Sequence, residues 1–514
     1  MDLNAFFQNP IKFIDEIAQF SDVRPDFGIN QAIVNAVNEN PEILNSLPLI
    51  TSLGHLQTIA PGSIARFRVT FLSNYGNDCI PLKLKCGDRF FTPLLGQDVP
   101  EGCEPFDLQS MISRQKIVVS SVSTQTKWLR EYNSLGYDQV QSSGHLTIDP
   151  NQSTFDEDLF EEPFQAVARF LTNTSERPLV VMDLIGFIEE PVAVLPNTEI
   201  NNSLEVYLST LPNILVFASF PVNFLYSPIF PGPTPPLPQV REKIIQFLSI
   251  FFQPITAELI LLWLIGRVRS RVGTLPIGIF SLNLFGANES IASCVVQILI
   301  YLCTSLNFID IHCNAMNERT LQPAMKDGEF KPTSLSSINN TRIIIDETRL
   351  SEGTLQQTGV QNYVLLRHAV ESQVVPFLYE LYEKDVETSF PFLILSQARS
   401  FIKANVSVPI GEVRFTEFNA DPNVIALMRT YVEQMRGGDF IVGDNEEAQQ
   451  LMQQHLVELM RADSRVDQFD LHLLMTLNQL NSISFGQNQF SQQIWNHSVE
   501  LFKYIISNKP INNQ

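Results

Sequence analysis

The spacing of apolar positions changes along this chain, and each change predicts a different kind of element. Phe6-Phe7 and the apolar stripe over residues 11–20 have helical rhythm, which residues 29–44 continue, with Pro41 near a helix start. From Ile64 the period becomes two: Ala65-Arg66-Phe67-Arg68-Val69-Thr70-Phe71 alternates apolar and polar, as a half-buried strand does. Residues 80–84, 116–119, 145–148, 178–188 and 214–220 read as further short strands. Many short strands with scattered turn residues predict an all-β unit, a small or elaborated barrel.

The proline-dense stretch 228–238 forbids helix and predicts a stiff linker, with a ligand for a proline-recognition domain as the alternative. Beyond it, residues 244–266 are apolar enough to mimic a membrane span. Gln246, Gln253, Pro254 and Glu258 interrupt them, so two buried helices broken at Pro254 are expected. Strands follow at 278–285, 307–312, 342–345, 390–395 and, more briefly, 404–408. Helices are expected at 288–301, with Asn288 as N-cap, and across most of 360–381 despite Pro376. Strands alternating with helices predict a parallel sheet covered on both faces. From Pro422 to the end the pattern is helical, as a lid would be. The expected organisation is therefore helices over 1–50, a β-rich unit over 51–227, a linker over 228–240, an α/β unit over 241–420 and a helical lid over 421–514.

Charge narrows the partners. The net charge of −21 repels nucleic-acid phosphates over most of the surface and favours basic proteins. The acidic run from Asp156 to Glu162 reads as a solvated loop, with a basic-partner site as the alternative. Arg267, Arg269 and Arg271 form the densest basic cluster, expected at a solvated helix end where cations complement the helix dipole. The six cysteines include no C-x-x-C pair and no zinc spacing, which fits a reducing compartment. Met1-Asp2-Leu3-Asn4 lacks a basic n-region, so no secretory signal is expected. The histidines show no triad or metal spacing, and Trp128, Trp263 and Trp495 read as core.

Candidate chemistry concentrates in Arg342-Ile343-Ile344-Ile345-Asp346-Glu347, an apolar strand ending in two carboxylates. In a nucleotide hydrolase the first carboxylate helps hold magnesium and the second orients water. The phosphate loop should then follow the strand at 278–285, with the form G-x-x-x-x-G-K-[ST]. Gly286 can serve as the first glycine and Ser293 fits the last position. Ile291 stands at the second glycine and Ala292 at the lysine. Such a loop cannot readily offer its amides or a cation to phosphates, and Glu289 adds negative charge where an anion would sit. Asp346 and Glu347 therefore read as a structural remnant, with Ser396 where such folds place a polar sensor. No catalytic residue, metal ligand or cofactor is expected.

Four stretches carry a resemblance to a known family. They are residues 257–284; Asp346-Glu347-Thr348 followed by Gly353 and Gly359; residues 396–400; and Asp470 and His472 followed by Gly486, Gln487 and Trp495. A fainter echo lies at residues 25–27, 61–68 and 126–128. In order and spacing these resemble the mini-chromosome maintenance complex-binding protein family. The resemblance implies an OB-like β-barrel part followed by a degenerate AAA-like P-loop α/β domain with a C-terminal helical lid, without enzymatic activity. It implies binding to subunits of the replicative mini-chromosome maintenance helicase, in support of helicase assembly or unloading, DNA replication and sister-chromatid cohesion. It further implies association with chromatin through those subunits, no direct nucleic-acid or membrane contact, and a nuclear location, alone or shared with the cytoplasm. A divergent AAA-type ATPase and a single-strand nucleic-acid-binding OB protein are the alternative readings.

Overall fold

The computed structural model describes residues 3–19, 26–81, 83–92, 102–105, 111–135, 145–149, 163–172, 174, 179–189, 203–226, 235–326, 329–379, 381–438, 446–463 and 465–509. Three helices open the chain: α1 (Leu3–Gln8), α2 (Pro10–Ala18) and α3 (Ile29–Glu39). The period-two segment becomes β1 (Ala65–Pro81), followed by β2 (Met111–Ser121), helix α4 (Lys127–Leu135), β3 (Gln165–Phe170), β4 (Val181–Ile188) and β5 (Asn213–Pro221). Hydrogen bonding runs β1-β2-β3-β5-β4, and β4 pairs again with β1. Among these five strands each has two neighbours, with β3 and β5 the parallel pair, and Leu49–Ile50 adds a sixth strand that pairs in parallel with Arg66 and Phe67 of β1.

Alternation decides the two faces of this ring. Ala65, Phe67, Val69, Ile117, Val119, Ala166, Ala168, Leu184 and Val216 form one apolar cluster. The opposite phase, with Ile185, Phe187, Leu215 and Phe217, packs against Phe6, Ile14, Ile29 and Ile33 of the N-terminal helices. Arg66 and Arg68 are buried rather than solvated; Arg68 donates to both oxygens of Asp183 at 2.8 and 2.9 Å. Gly186 is required, because a Cβ there would run into the Leu215 carbonyl oxygen of the paired strand.

The second half begins with α5 (Leu237–Phe251) and α6 (Pro254–Leu264), separated as expected at Pro254. Then come β6 (Leu282–Phe285), α7 (Glu289–Leu302), β7 (Leu306–Asp310), β8 (Arg342–Asp346), α8 (Gln357–Ser372), the hairpin β9 (Val374–Leu378) and β10 (Glu383–Glu387), β11 (Phe392–Ser396) and β12 (Val406–Pro409). The helices α9 (Pro422–Gly437), α10 (Glu446–Ala462), α11 (Gln468–Ser484) and α12 (Gln492–Ser507) complete the chain. The sheet is five-stranded and parallel, ordered β7-β8-β11-β6-β12. Both faces are covered, which is why its strands read as continuous apolar runs. Ile344, Leu393 and Leu395 face the cluster built with the C-terminal helices. Ile343, Ile345 and Ile394 face the cluster that includes Leu366 and Ala369 of α8. Among the described residues no helix is long and apolar enough to cross a membrane.

Buried polar contacts weld the parts together. Thr124, Ser305 and Thr341 share hydroxyl hydrogen bonds at 2.7, 2.8 and 3.3 Å. The Arg429 guanidinium of α9 stacks 3.8 Å over the Trp128 ring of α4, and the indole N–H donates to the Cys303 carbonyl at 3.0 Å. At the start of β8, Arg342 is fully buried and lies 3.4 Å from Glu433, which also accepts from Arg436 at 2.7 Å and Thr304 at 2.7 Å.

Several expectations are corrected. The segment 360–381 is helical only to Ser372; Gln373 adopts φ 54, and the β-branched, proline-containing run that follows forms a hairpin. The strand expected at 145–148 is His145–Leu146, and it pairs with Phe418–Asn419 instead of joining the ring, because Leu146 and Ile148 pack in the core of the second half. The strands expected near 64–71 and at 80–84 are largely one, running through Pro81. The arginine cluster does not end its own helix. Arg271 donates to the carbonyls of Ser372 and Gln373 at 2.8 and 2.7 Å, and Arg269 to that of Gly438 at 3.0 Å, so both close the C-termini of other helices. Cys86 and Cys103 form a disulfide, so the sequence's few thiols are not all reduced as expected. The acidic run 156–162 and residues 228–234 of the proline stretch lie outside the described residues.

Candidate functional site

In an open parallel sheet, ligands sit outside the carboxyl ends of the strands where the chain reverses direction across the sheet. Here that place is beside β6 and β11, with β8 next in line. Gly286, Ser293, Asp346, Glu347 and Ser396 all lie at this edge or on the first turns of α7, so the fold brings the sequence-derived residues together.

The geometry at the first strand is closed. Only Gly286, Ala287 and Asn288 separate β6 from α7. Gly286 takes φ +88, a left-handed turn that favours glycine. The amide of Ala287 donates to the Ser396 carbonyl at 3.0 Å, and that of Ala292 to the Asn288 carbonyl at 2.9 Å. The Asn288 side chain caps α7 by accepting from Ile291 N at 2.9 Å. The amides of Ala287, Ile291 and Ala292 are thus engaged within the protein. Ala292 and Ser293 are buried in α7, and Glu289 is exposed in its first turn.

The two carboxylates of β8 have diverged. Asp346 is buried, and its Oδ1 accepts from the Thr348 amide at 2.8 Å, a local turn that ends the strand. Glu347 is buried and triply engaged: Phe401 N at 2.8 Å, Ile402 N at 3.1 Å and Ser400 Oγ at 3.1 Å all donate to it. Burial pushes the Glu347 carboxyl above its ordinary value, and the amides of Phe401 and Ile402 oppose that rise. A side chain so held latches the segment after β11 to the end of β8. Ser396 Oγ donates within reach of Asn283 Oδ1 at 3.0 Å, and Asn283 donates to Ser407 Oγ at 2.9 Å. These contacts make a polar ladder across β11, β6 and β12.

Sequence reasoning missed Asp310, Asn283 and the buried Arg342–Glu433–Arg436 cluster. Asp310 ends β7 directly beside Asp346, pairs with Arg349 and lies 3.4 Å from His312. Burial raises its carboxyl, opposed by the Arg349 charge. The signal was present, since β7 also ends an apolar run on an acid. Asn283, a polar residue inside an apolar strand, was another. Among the described residues, no group of three or more His, Cys, Asp or Glu side chains is arranged to hold a metal ion.

The remaining family-matching positions do not converge on one site. Thr348, Gly353 and Gly359 follow β8; a Cβ at Gly353 would strike Cys313 Sγ, and one at Gly359 would strike Asn317 Oδ1. Asp470 reciprocates with Asp467 in the capping box of α11. Gly486, at φ +70, and Gln487 close the far end of α11, where their amides donate to Ile483 and Ser482 carbonyls at 2.8 and 2.9 Å. Trp495 is fully buried and donates to His455 at 2.8 Å, whereas His472 is exposed.

Comparison with known proteins bears on the second half of the chain above all. Residues 228–503 match the family described as mini-chromosome maintenance replisome factor. Proteins named mini-chromosome maintenance complex-binding protein are similar to the chain. The one from Arabidopsis thaliana is 27% identical over 351 residues, covering 65% of this chain and 59% of its own length. That from Drosophila melanogaster is 26% identical, covering 49% of this chain and 44% of its own, and that from Mus musculus is 25% identical, covering 52% and 44%. The chain spans about half the length of these curated relatives. Because the family match runs through both the parallel sheet and the C-terminal helices, the chain belongs to the mini-chromosome maintenance replisome factor family.

Proposed function

We propose that this chain is a non-enzymatic protein that binds subunits of the mini-chromosome maintenance helicase, holding them for assembly or release and so supporting DNA replication and sister-chromatid cohesion. The observation that carries the reading is that the family-matched residues 228–503 contain a sheet whose nucleotide-facing edge is occupied by its own contacts. The strand order β7-β8-β11-β6-β12, with an acid-ended β8 in the second position, supports reading this sheet as a degenerate AAA-like domain. The pairing of β4 with β1 supports reading the preceding five strands as OB-like. The relatives' names supply the partner. Mechanistically, the AAA-like part docks against the equivalent part of a true ATPase subunit and occupies an oligomer position without turning over nucleotide. Nuclear residence and contact with chromatin through the helicase follow from that role.

The test is direct. Purified chain should capture helicase subunits from a mixture of them and show no magnesium-dependent ATP binding by calorimetry. Failure to capture any subunit sinks the partner assignment. Tight ATP binding abolished by Asp346→Asn establishes the divergent-ATPase reading instead. With a net charge of −21, single-stranded DNA should not be shifted at moderate salt.

A further inference from the structure

The β9–β10 hairpin exposes apolar side chains around its turn. Leu381 is 95% exposed, Tyr382 59% and Leu378 43%. The rings of Tyr379 and Tyr382 stack at 4.9 Å and the Tyr379 amide donates to the Tyr382 carbonyl at 2.8 Å. Scattered exposed apolar residues are ordinary on protein surfaces; three together at one hairpin end are an interaction signal.

The base of the hairpin, by contrast, is fixed. Gln373 accepts from the Phe390 amide at 2.6 Å and donates back to its carbonyl at 3.0 Å. Arg271 clamps the carbonyls of Ser372 and Gln373, and Val375, Phe377 and Val386 are buried. Five residue pairs separate this base from the tip, a reach of roughly 15 Å. The base also sits at the start of β8, where Asn340 N donates to the Ser389 carbonyl at 2.7 Å. That is the end of the sheet opposite Asp346, whereas the far end of β9 is held by the Leu378 amide donating to the Pro323 carbonyl at 2.9 Å.

Charge selects the partner. Near the tip Glu383 and Asp385 of β10 are exposed against Lys384, while Glu387 at the base lies 3.5 Å from Arg271, on a chain of net charge −21. A charged, exposed edge strand resists pairing with another strand, which disfavours β-augmentation and leaves side-chain insertion as the mode of contact. A preorganised probe of this kind loses little freedom on binding, and tyrosine is a frequent anchor residue.

We propose that Leu378, Leu381 and Tyr382 form an anchor that enters an apolar pocket rimmed by Lys and Arg on a partner protein. The inference rests on the reading above, in which that partner is a helicase subunit. The experiment measures the affinity of the full chain for individually purified mini-chromosome maintenance subunits. The double variant Leu381→Asp/Tyr382→Ala, at exposed positions, should fold with an unchanged circular dichroism spectrum and thermal midpoint. It should bind about tenfold or more weakly, whereas Leu381→Met/Tyr382→Phe should retain affinity. Glu383→Lys/Asp385→Lys should weaken binding more at low salt than at high salt. Wild-type affinity in the Leu381→Asp/Tyr382→Ala chain overturns the anchor while leaving the proposed function intact. Loss of self-association in that chain, with subunit affinity unchanged, overturns it in favour of a contact between copies. Absence of binding by the unmodified chain overturns the proposed function itself and the anchor with it.

Discussion

Replacing Glu347 separates a latch from a catalytic carboxylate. With Glu347→Ala, the amides of Phe401 and Ile402 lose their acceptor, while Ser400 Oγ keeps the Ile402 carbonyl at 2.6 Å. A buried N–H left without a partner costs about 1–3 kcal/mol. Phe401 is 36% exposed, so water can recover part of its share, and removing a buried carboxylate returns part of its desolvation. The net loss should be about 2–4 kcal/mol. Glu347→Gln keeps one oxygen for the amides but turns an NH2 group toward a donor, at about 1–2 kcal/mol. Thermal and denaturant unfolding read the difference, with about 2–4 °C expected per kcal/mol for a unit of this size. Limited proteolysis of the segment after β11 should rise in parallel. Magnesium-dependent ATP turnover should be absent in all three proteins. The reasoning is refuted if Glu347→Gln melts within about 0.5 kcal/mol of the parent yet removes a measurable ATPase activity.

Three further predictions test the frame around this latch. Glu433→Ala strands the buried guanidiniums of Arg342 and Arg436 and should destabilise by about 3–5 kcal/mol, measured by denaturant midpoint; replacing all three residues with apolar side chains should recover much of that loss. His497 is raised above its ordinary value by the hydrogen bond its Nε2 donates to Glu258 Oε1 at 2.8 Å. Its stabilisation is therefore complete below about pH 6.5 and lost as pH rises through the raised value, so thermal midpoints of the parent should fall from pH 6.5 upward by more than those of His497→Gln. Gly186→Ala should fail to accumulate as folded protein or show a strongly lowered midpoint, because the added methyl meets the Leu215 carbonyl and forces β4 from β5; unchanged stability would refute the strand pairing around the ring.

The chain's own periodicities determined a great deal. Alternation over Ala65–Phe71 marked a strand that places alternate side chains in one apolar cluster. Continuous apolar runs such as Ile343-Ile344-Ile345 marked strands covered on both faces, and Pro254 and Asn288 marked helix boundaries. These signals are local, so a linear reading captures them. The departure of residues 286–293 from the phosphate-loop pattern was legible for the same reason, because a phosphate grip needs particular residue types at fixed spacing. Partners distant in sequence were decided only by the tertiary structure. Arg68 looked solvent-facing until Asp183 closed over it, 115 residues away. Arg271 looked like the end of its own helix and instead closes another helix 101 residues on. The helical reading of 360–381 failed because local rhythm persisted past Ser372, while pairing with β10 and the clamp on Gln373 set the actual backbone. Glu347 carries the same division: sequence named it as an acid at a strand end, and the packing of Ser400, Phe401 and Ile402 around it turned that acid into a latch.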